Sequence, residues 1–427
     1  MGAGCNADQY EKVVTLRDAP EAERAPEHFV LFWGIYFPIR IAEFMKKWRV
    51  GLVGEPIRVL QIVGRMDRGG IENFVMNIYR NIDREKVQFD FLCHYGREAA
   101  FNDEIRAMGG RIYEMPAIRD ETHVYYWKLF EYIRALNKFF REHKEYKIIH
   151  GQMTNTASIY MPIAKKYGVT TRIAHSHNSH GKVGMLGVVT DILKKPVFKY
   201  ATDLFACSEA AAKYFYPESY IKAGKVKIVP NAVDAGKFRY DPEKRKQMRL
   251  EFGVEGKLVI GCVGRFRTEK NQAFLLGVLN EALKIESTAV LLFAGDGPLE
   301  DDCKQKAAEM GIADKCIFLG MRSDIPDVMQ AMDVLAMPSL FEGLPVTGIE
   351  AQASGLRVVA STGVPDEMDA IHLIDFLPLD GGEKAWAEKL ILRAKEERTD
   401  TFDRIKEAGY DINTTAPWLQ EFYLRHS

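Results

Sequence analysis

From Ile57 to the end of the chain, short apolar runs rich in β-branched residues alternate with amphipathic stretches. Apolar runs bounded by turn residues read as buried strands, and apolar positions at three- and four-residue spacing read as helices. The first half offers "IRVLQIVG" (57–64), "FDFLCH" (89–94), "RIYEM" (111–115), "KIIHGQ" (147–152), "TRIAHSH" (171–177), "DLFACS" (203–208) and "VKIVPN" (226–231). The second offers "LVIGCVG" (258–264), "AVLLFAG" (289–295), "CIFLG" (316–320), "DVLAMPS" (333–339), "RVVAS" (357–361) and "IHLIDFL" (371–377). Helices fall between, as in "NQAFLLGVLNEALK" (271–284). Strands alternating with helices predict βαβ units and parallel sheets.

The alternation is interrupted once, by the polar, turn-rich "PNAVDAGKFRYDPEKR" (230–245), which marks a domain boundary. The expected fold class is α/β, with two doubly wound Rossmann-like domains facing each other across a cleft. They would span residues 56–229 and 230–412, with a C-terminal helix at 413–427 packing back on the N-terminal domain. Open sheets of this kind bind ligands at the carboxyl ends of their strands.

Residues 1–55 stand apart. The first 27 are polar and poor in core material, as disordered segments are. Then follows "FVLFWGIYFPIRIAEFMKKWRV", whose apolar run of about 16 residues is broken by Pro38 and Arg40, short of the ~20 needed to cross a bilayer. It lacks the order of a signal peptide. Two readings stand: an interfacial membrane anchor with Lys46, Lys47 and Arg49 toward head groups, or an appendage outside the fold, as from an over-extended start.

Composition narrows the class. The 427 residues carry a net charge of −1, so no basic field points to nucleic acid. Cysteines 5, 93, 207, 262, 303 and 316 lack CxxC spacing, and four of them sit in apolar strands. They are expected as reduced thiols in a cytoplasmic protein, with neither disulfides nor zinc.

Chemistry gathers at the strand ends. "VGRMDRGGIENF" (63–74) runs from strand to helix through Gly69-Gly70, where a ligand could approach the backbone and the helix N-terminus. It has neither the lysine of a Walker A loop nor the spacing GxGxxG, and a plain tight turn is the alternative. In "GRFRTEKN" (264–271), Arg265 and Lys270 bracket a loop and could reach one anionic group, a pairing suited to a diphosphate. In "SLFEGLPVTGIEA" (339–351), Pro345 suits the first turn of a helix of about ten residues and Gly355 its end. Glu342 would precede that helix and Glu350 lie more than a turn inside it. Such acids would grip two hydroxyl-rich regions of an extended ligand. In "AHSHNSH" (174–180), His175 and His177 share a strand face and His180 follows. A substrate contact, a structural role and a metal site are the readings, but no Cys or carboxylate stands at ligand spacing.

Taken in order, "IVPNAVD" (228–234), "GRFRTEKN", "AGDGPLED" (294–301), "FLGMRSDIPDVM" (318–329) and "FEGLPVTGIEA" resemble the blocks of the retaining family 4 glycosyltransferases, which have the GT-B fold. "VLQIVGRMDRGGIENFVMNIYR" resembles the branch that builds capsular and exopolysaccharides. The resemblance covers roughly 57–427. It implies that Arg265 and Lys270 hold the donor's diphosphate. Glu342, with the amides of Gly343 and Leu344, would lie near the donor sugar, and Glu350 would accept from the ribose hydroxyls. Arg322 would mark where the backbone meets the nucleobase, and Gly70 where the loop approaches the phosphates. His177, or His175 two residues earlier, would stand close to the reacting carbon. "STGVPDEMD" (361–369) departs from the family's glycine-rich turn leading to one glutamate, so Asp366 and Glu367 both remain candidates there.

The resemblance also implies an activity: transfer of a hexosyl group from a nucleotide sugar, UDP-linked by family habit, to a saccharide or lipid-linked acceptor. No cofactor is expected. With no Asp-x-Asp at a strand end, the cations of the loop would replace a metal. The place of action would be the cytoplasm, possible membrane contact being at the inner face of the plasma membrane. A nucleotide-sugar epimerase, a phosphorylase and a catalytically silent subunit are the alternatives.

Overall fold

A computed structural model describes residues 55–67, 69–94, 98–117, 128–177, 194, 196–342 and 345–427. The expectations for residues 1–54, for His180, and for Gly343 and Leu344 lie outside the described residues. Residues 56–427 form one unit built on two parallel sheets, the two α/β domains of the GT-B architecture.

The first sheet contains β1 (Ile57–Val63), β2 (Val87–Cys93), β3 (Ile112–Glu114), β4 (Ile148–Gly151), β5 (Thr171–Ser176), β6 (Asp203–Ala206) and β7 (Val226–Ile228). Their spatial order is β3-β2-β1-β4-β5-β6-β7. The second contains β8 (Leu258–Val263), β9 (Ala289–Ala294), β10 (Cys316–Phe318), β11 (Val334–Met337), β12 (Arg357–Ser361) and β13 (Ile374–Leu377), in the order β10-β9-β8-β11-β12-β13. In each sheet the strand order reverses beside its first strand, between β1 and β4 and between β8 and β11. Such a switch point leaves a crevice beyond the strand ends where no crossover helix covers the sheet.

The central strands are apolar on both faces because helices cover both. Val259, Val290 and Leu335 face one buried layer of the second sheet, while Ile260, Leu291 and Ala336 face the other. In the first sheet, one layer also takes in Ile412, Ala416, Leu419 and Tyr423 of the C-terminal helix Ile412–Arg425. The two chain crossings between the sheets pair with each other: Val233 N–H donates to Tyr410 O at 2.9 Å and Ile412 N–H to Val233 O at 2.8 Å. Of the described cysteines, Cys93, Cys207, Cys262 and Cys303 are buried and Cys316 half-buried, all as free thiols.

Several element ends differ from the sequence reading, each for a local reason. The strand expected at 371–377 starts only at Ile374, because His372 adopts φ 60° and Asp369 accepts from the amides of Leu373 and Ile374. The strand expected at 333–339 stops at Met337, ahead of Pro338, which has no N–H for the ladder. The helix expected from Asn271 starts at Gln272, since Asn271 takes a left-handed φ of 52°.

Candidate functional site

The two loops that carry the candidate acids and bases follow β8 and β11, which are paired through Val334↔Ile260 and Leu335↔Gly261. Their carboxyl ends therefore open side by side at the switch point of the second sheet. Two hydrogen bonds then join the loops: Leu340 N–H donates to Glu269 O at 2.7 Å, and the Asn271 side-chain amide (Nδ2) to Pro338 O at 3.2 Å. The loop after β9 closes beneath them, with Phe266 N–H donating to Asp296 O at 2.8 Å. Only glycine fits at two places in that loop. A Cβ on Gly295 would sit 2.1 Å from Gly264 O, and one on Gly297 2.5 Å from Phe266 O, both at positive φ.

Within this frame the Lys270 ammonium contacts the Glu342 carboxylate, which also accepts from Ser339 Oγ at 2.8 Å. Ser339 in turn receives a hydrogen bond from Ser361 on β12 through its carbonyl. Glu342 N–H donates to Gly363 O at 3.0 Å. The acid is thus held from three loops and is largely buried. Arg265 is exposed beside it, its carbonyl taken by the Gln272 amide at 2.8 Å. A cavity of about 10 Å³ lies beneath the pair, lined by Lys270, Ser339 and Met337 among others.

Glu350 lies in the helix Val346–Ala353, which begins one residue later than expected: Pro345 caps it in an extended conformation (φ −72°, ψ 123°) instead of forming its first turn. The helix is eight residues long, shorter than the expected ten or so. Gly355, at φ 71°, ends it in the left-handed conformation as expected. Burial pushes the Glu350 carboxyl up to about 7. The Arg322 side chain is held by Asp324, Nε to Oδ1 at 2.7 Å, with Glu251 also near its guanidinium.

On the opposing side, Gly70 opens the helix Gly70–Asn81, and a Cβ there would meet nothing within 4 Å. The space beside Gly69 is filled by the protein itself, by the carboxylate of Glu72. Burial lifts that carboxyl to about 7, with Asp67 adding to the shift. Asp67 is bound by Arg65, Nε to Oδ2 at 2.6 Å. Burial raises its carboxyl, but Arg65, the Ala100 amide and the charge of Arg265 outweigh this and hold it below its usual value. The field of Arg265 thus reaches the loop after β1.

His177 lies one residue beyond β5, and its Nε2–H donates to Gln152 Oε1, 2.7 Å away. Its ring centroid is 4.1 Å from that of His175, as two residues on one strand face should be. His175 is 0 % exposed and His177 8 %, so of the two His177 is nearer the surface of the strand end. Among the described residues no group of three or more His, Cys, Asp or Glu side chains is arranged to hold a metal ion.

Three features escaped the sequence reading. Ser339 reads as an ordinary turn residue. His150 sits in a different strand from the "HSH" cluster. The role of Glu367 needed the other domain: its Oε1 accepts from Ala210 N–H at 2.5 Å, at the start of the helix Glu209–Phe215 under the first sheet. Of the two acids left open in "STGVPDEMD", Glu367 is the one that makes this crossing.

The chain is similar to known proteins. Residues 257–392 match the family described as Glycosyl transferases group 1, and residues 68–237 that described as Glycosyltransferase Family 4. EpsF of Bacillus subtilis (strain 168), named as a glycosyltransferase, is 31 % identical over 376 residues, covering 86 % of this chain and 96 % of EpsF. The chain belongs to glycosyltransferase family 4. This glycosyltransferase is also similar to CapH of Staphylococcus aureus, a capsular polysaccharide biosynthesis glycosyltransferase, at 25 % identity over 378 residues, 86 % of this chain and 99 % of CapH. Its fold matches that of HepE of Anabaena, solved in complex with UDP, with a TM-score of 0.69 at 18 % identity over 86 % of this chain and 99 % of HepE.

Proposed function

We infer that this glycosyltransferase moves a hexosyl group from a nucleotide sugar, taken as UDP-linked from the family resemblance, to a saccharide or lipid-linked saccharide in cell-surface polysaccharide synthesis. The observation that carries this reading is the Lys270–Glu342 pair at the adjoining ends of β8 and β11, beside an exposed Arg265 and just before the helix of Glu350. CapH, named for capsular polysaccharide biosynthesis, supports the polymer context.

In this reading the acceptor hydroxyl oxygen attacks the anomeric carbon as the bond from that carbon to the diphosphate oxygen breaks. The acceptor's proton passes to the departing phosphate, leaving a glycoside and a nucleoside diphosphate. Negative charge grows on the leaving group, where Arg265 and Lys270 would stabilise it by roughly 3 kcal/mol for a well-placed donor. Those cations make the reaction metal-independent. Attack and departure share one face of the sugar, so configuration is retained. A double displacement would need two free carboxyls about 5 Å apart. Glu342, already held by Lys270 and Ser339, is better suited to orienting the sugar than to attacking it. Glu350 would receive the ribose hydroxyls.

No helix among the described residues is long and apolar enough to cross a membrane. A cytoplasmic site of action, at the inner face of the plasma membrane where a lipid-linked acceptor would stand, completes the reading. Calorimetry with UDP, GDP and ADP, then with their hexose conjugates, tests it on the wild type and on Lys270→Ala. Micromolar binding of one nucleotide, lost in the variant, is expected. A folded protein that binds none of them would overturn the donor-site reading. Isomerisation of the donor without nucleotide release would identify an epimerase instead.

A further inference from the structure

At the β7 edge of the first sheet, lysines outnumber carboxylates. Residues 194–227 carry seven lysines against Asp203, Glu209 and Glu218, in a chain whose net charge is −1. Lys213 and Lys222 pair along their own helices, with Glu209 at 3.4 Å and Glu218 at 2.8 Å. Lys199, Lys225 and Lys227 are exposed, as are Lys165 and Lys166 at the end of the neighbouring helix Thr154–Lys166. Among the described residues none of these five has a carboxylate partner; each lies over an aromatic ring instead. Lys165 and Lys199 stand 5.5 and 5.6 Å from the centroid of Tyr200, and Lys166 5.4 Å from that of Tyr167. Lys225 lies over Tyr220 at 5.1 Å and Lys227 over Trp418 at 5.3 Å.

These groups form one rim. Lys166 and Tyr167 end the helix that leads into β5, Lys199 and Tyr200 stand just before β6, and Lys225 just before β7, so the amino ends of three adjacent strands present them together. Phe198 links the segments, its ring 5.8 Å from that of Phe215 and 5.9 Å from that of Tyr220. Lys227 and Trp418 carry the rim around β7 to the C-terminal helix. The crevice lies at the other ends of the strands.

A lysine laid over a ring covers it with an apolar stem and keeps its charge in water. Tyr167, Tyr200 and Tyr220 are half-buried, and Trp418 is 37 % exposed. Half-sunk rings of this kind suit the level of lipid head groups, where ammoniums meet phosphates. Nucleic acid fits less well. Between residues 142 and 238 the one arginine, Arg172, is buried and donates to the carbonyls of Tyr200 and Val169. No planar fork is offered to a base edge.

We propose that this rim of lysines and aromatic rings is the surface by which the protein docks on an anionic lipid bilayer. It deepens the membrane position of the glycosyl-transfer reading, but it stands on charge and rings and not on the donor site. Docking there leaves the crevice open to donor and acceptor.

The test sediments the full chain with vesicles of phosphatidylcholine containing about one-third phosphatidylglycerol, and with vesicles of phosphatidylcholine alone. Binding to the anionic vesicles only, weakening as salt rises, is expected. Equal binding to both, or binding to neither, overturns the proposal. Each lysine should contribute about fivefold. The combined variant Lys165→Gln, Lys199→Gln, Lys225→Gln and Lys227→Gln should therefore bind on the order of 10²-fold more weakly, with Kd for UDP unchanged. Lys165→Arg, Lys199→Arg, Lys225→Arg and Lys227→Arg together should bind as wild type; a loss there too would point to packing and count against the proposal. A glutamine variant that keeps full binding places the contact elsewhere in the chain and rules out the rim. Should that variant not fold, Trp418→Phe decides. The blue shift of tryptophan emission on adding anionic vesicles should shrink in it, and an undiminished shift excludes the rim. Duplex DNA bound more tightly than the anionic vesicles would make this a nucleic-acid surface instead. Vesicle binding by a protein that binds no nucleotide keeps the docking surface and sinks the donor reading alone.

Discussion

Lys270 and Glu342, 72 positions apart in sequence, meet as an ion pair between the ends of two neighbouring parallel strands. Each prepares the other. The carboxylate holds the ammonium at the mouth of the switch point; in the proposed donor reading an incoming diphosphate would compete for it. On that proposal, the ammonium would turn to the phosphate while Glu342 kept its bond from Ser339 and accepted from a sugar hydroxyl.

Lys270→Ala should therefore lower kcat by on the order of 10²–10³, with a much smaller change in KM, because the contact strengthens as charge develops on the leaving group. Steady-state kinetics over donor concentration will check this. Normal kcat with raised KM would contradict the assignment.

Glu350 makes stability depend on pH in a defined direction. Its carboxyl is raised to about 7 in the folded chain, above the ordinary value of an unfolded glutamate. Between about pH 4.5 and 7 the folded state therefore binds more protons at this position, and stability falls as pH rises. Glu350→Gln removes the cost of burying the charge. The variant should gain on the order of 2 kcal/mol over wild type at pH 7 and almost nothing at pH 4.5. Thermal denaturation of both proteins across that range measures the difference; a gap that does not widen with pH refutes it.

Glu367 joins the two domains through Ala210 N–H. Glu367→Ala leaves that amide without its acceptor and should cost about 1–3 kcal/mol, read by urea unfolding. Glu367→Gln keeps a carbonyl oxygen in place and should recover most of the loss. Equal losses in both variants would show that charge, not the hydrogen bond, matters there.

The proposal that cations of the chain, and not a metal, serve the leaving group leads to a further expectation. Turnover should be unchanged after treatment with EDTA. Activity lost on chelation and restored by Mg²⁺ or Mn²⁺ would refute metal independence.

Much of this was written locally. The alternation of buried strands with amphipathic helices depends on side chains a few positions apart, so the strands of both sheets were legible at their centres, as in Ile57–Val63 and Ala289–Ala294. Their ends were less so, because a single residue such as His372 or Asn271 can leave the helical or extended region for local reasons. The acids and bases at the strand ends were likewise visible as residue types in loops.

What pairs with what was not. The sequence by itself determined two parallel α/β halves and put Arg265, Lys270, Glu342 and Glu350 beyond strand ends, since periodicity and turn chemistry act over short distances. Only the tertiary structure decided that Lys270 meets Glu342, that Glu367 reaches Ala210, and that Tyr423 joins His150 to the strand-end histidines. Those contacts span from 72 to 273 positions. They depend on strand order and on the path of the last helix, which no local pattern of residues encodes.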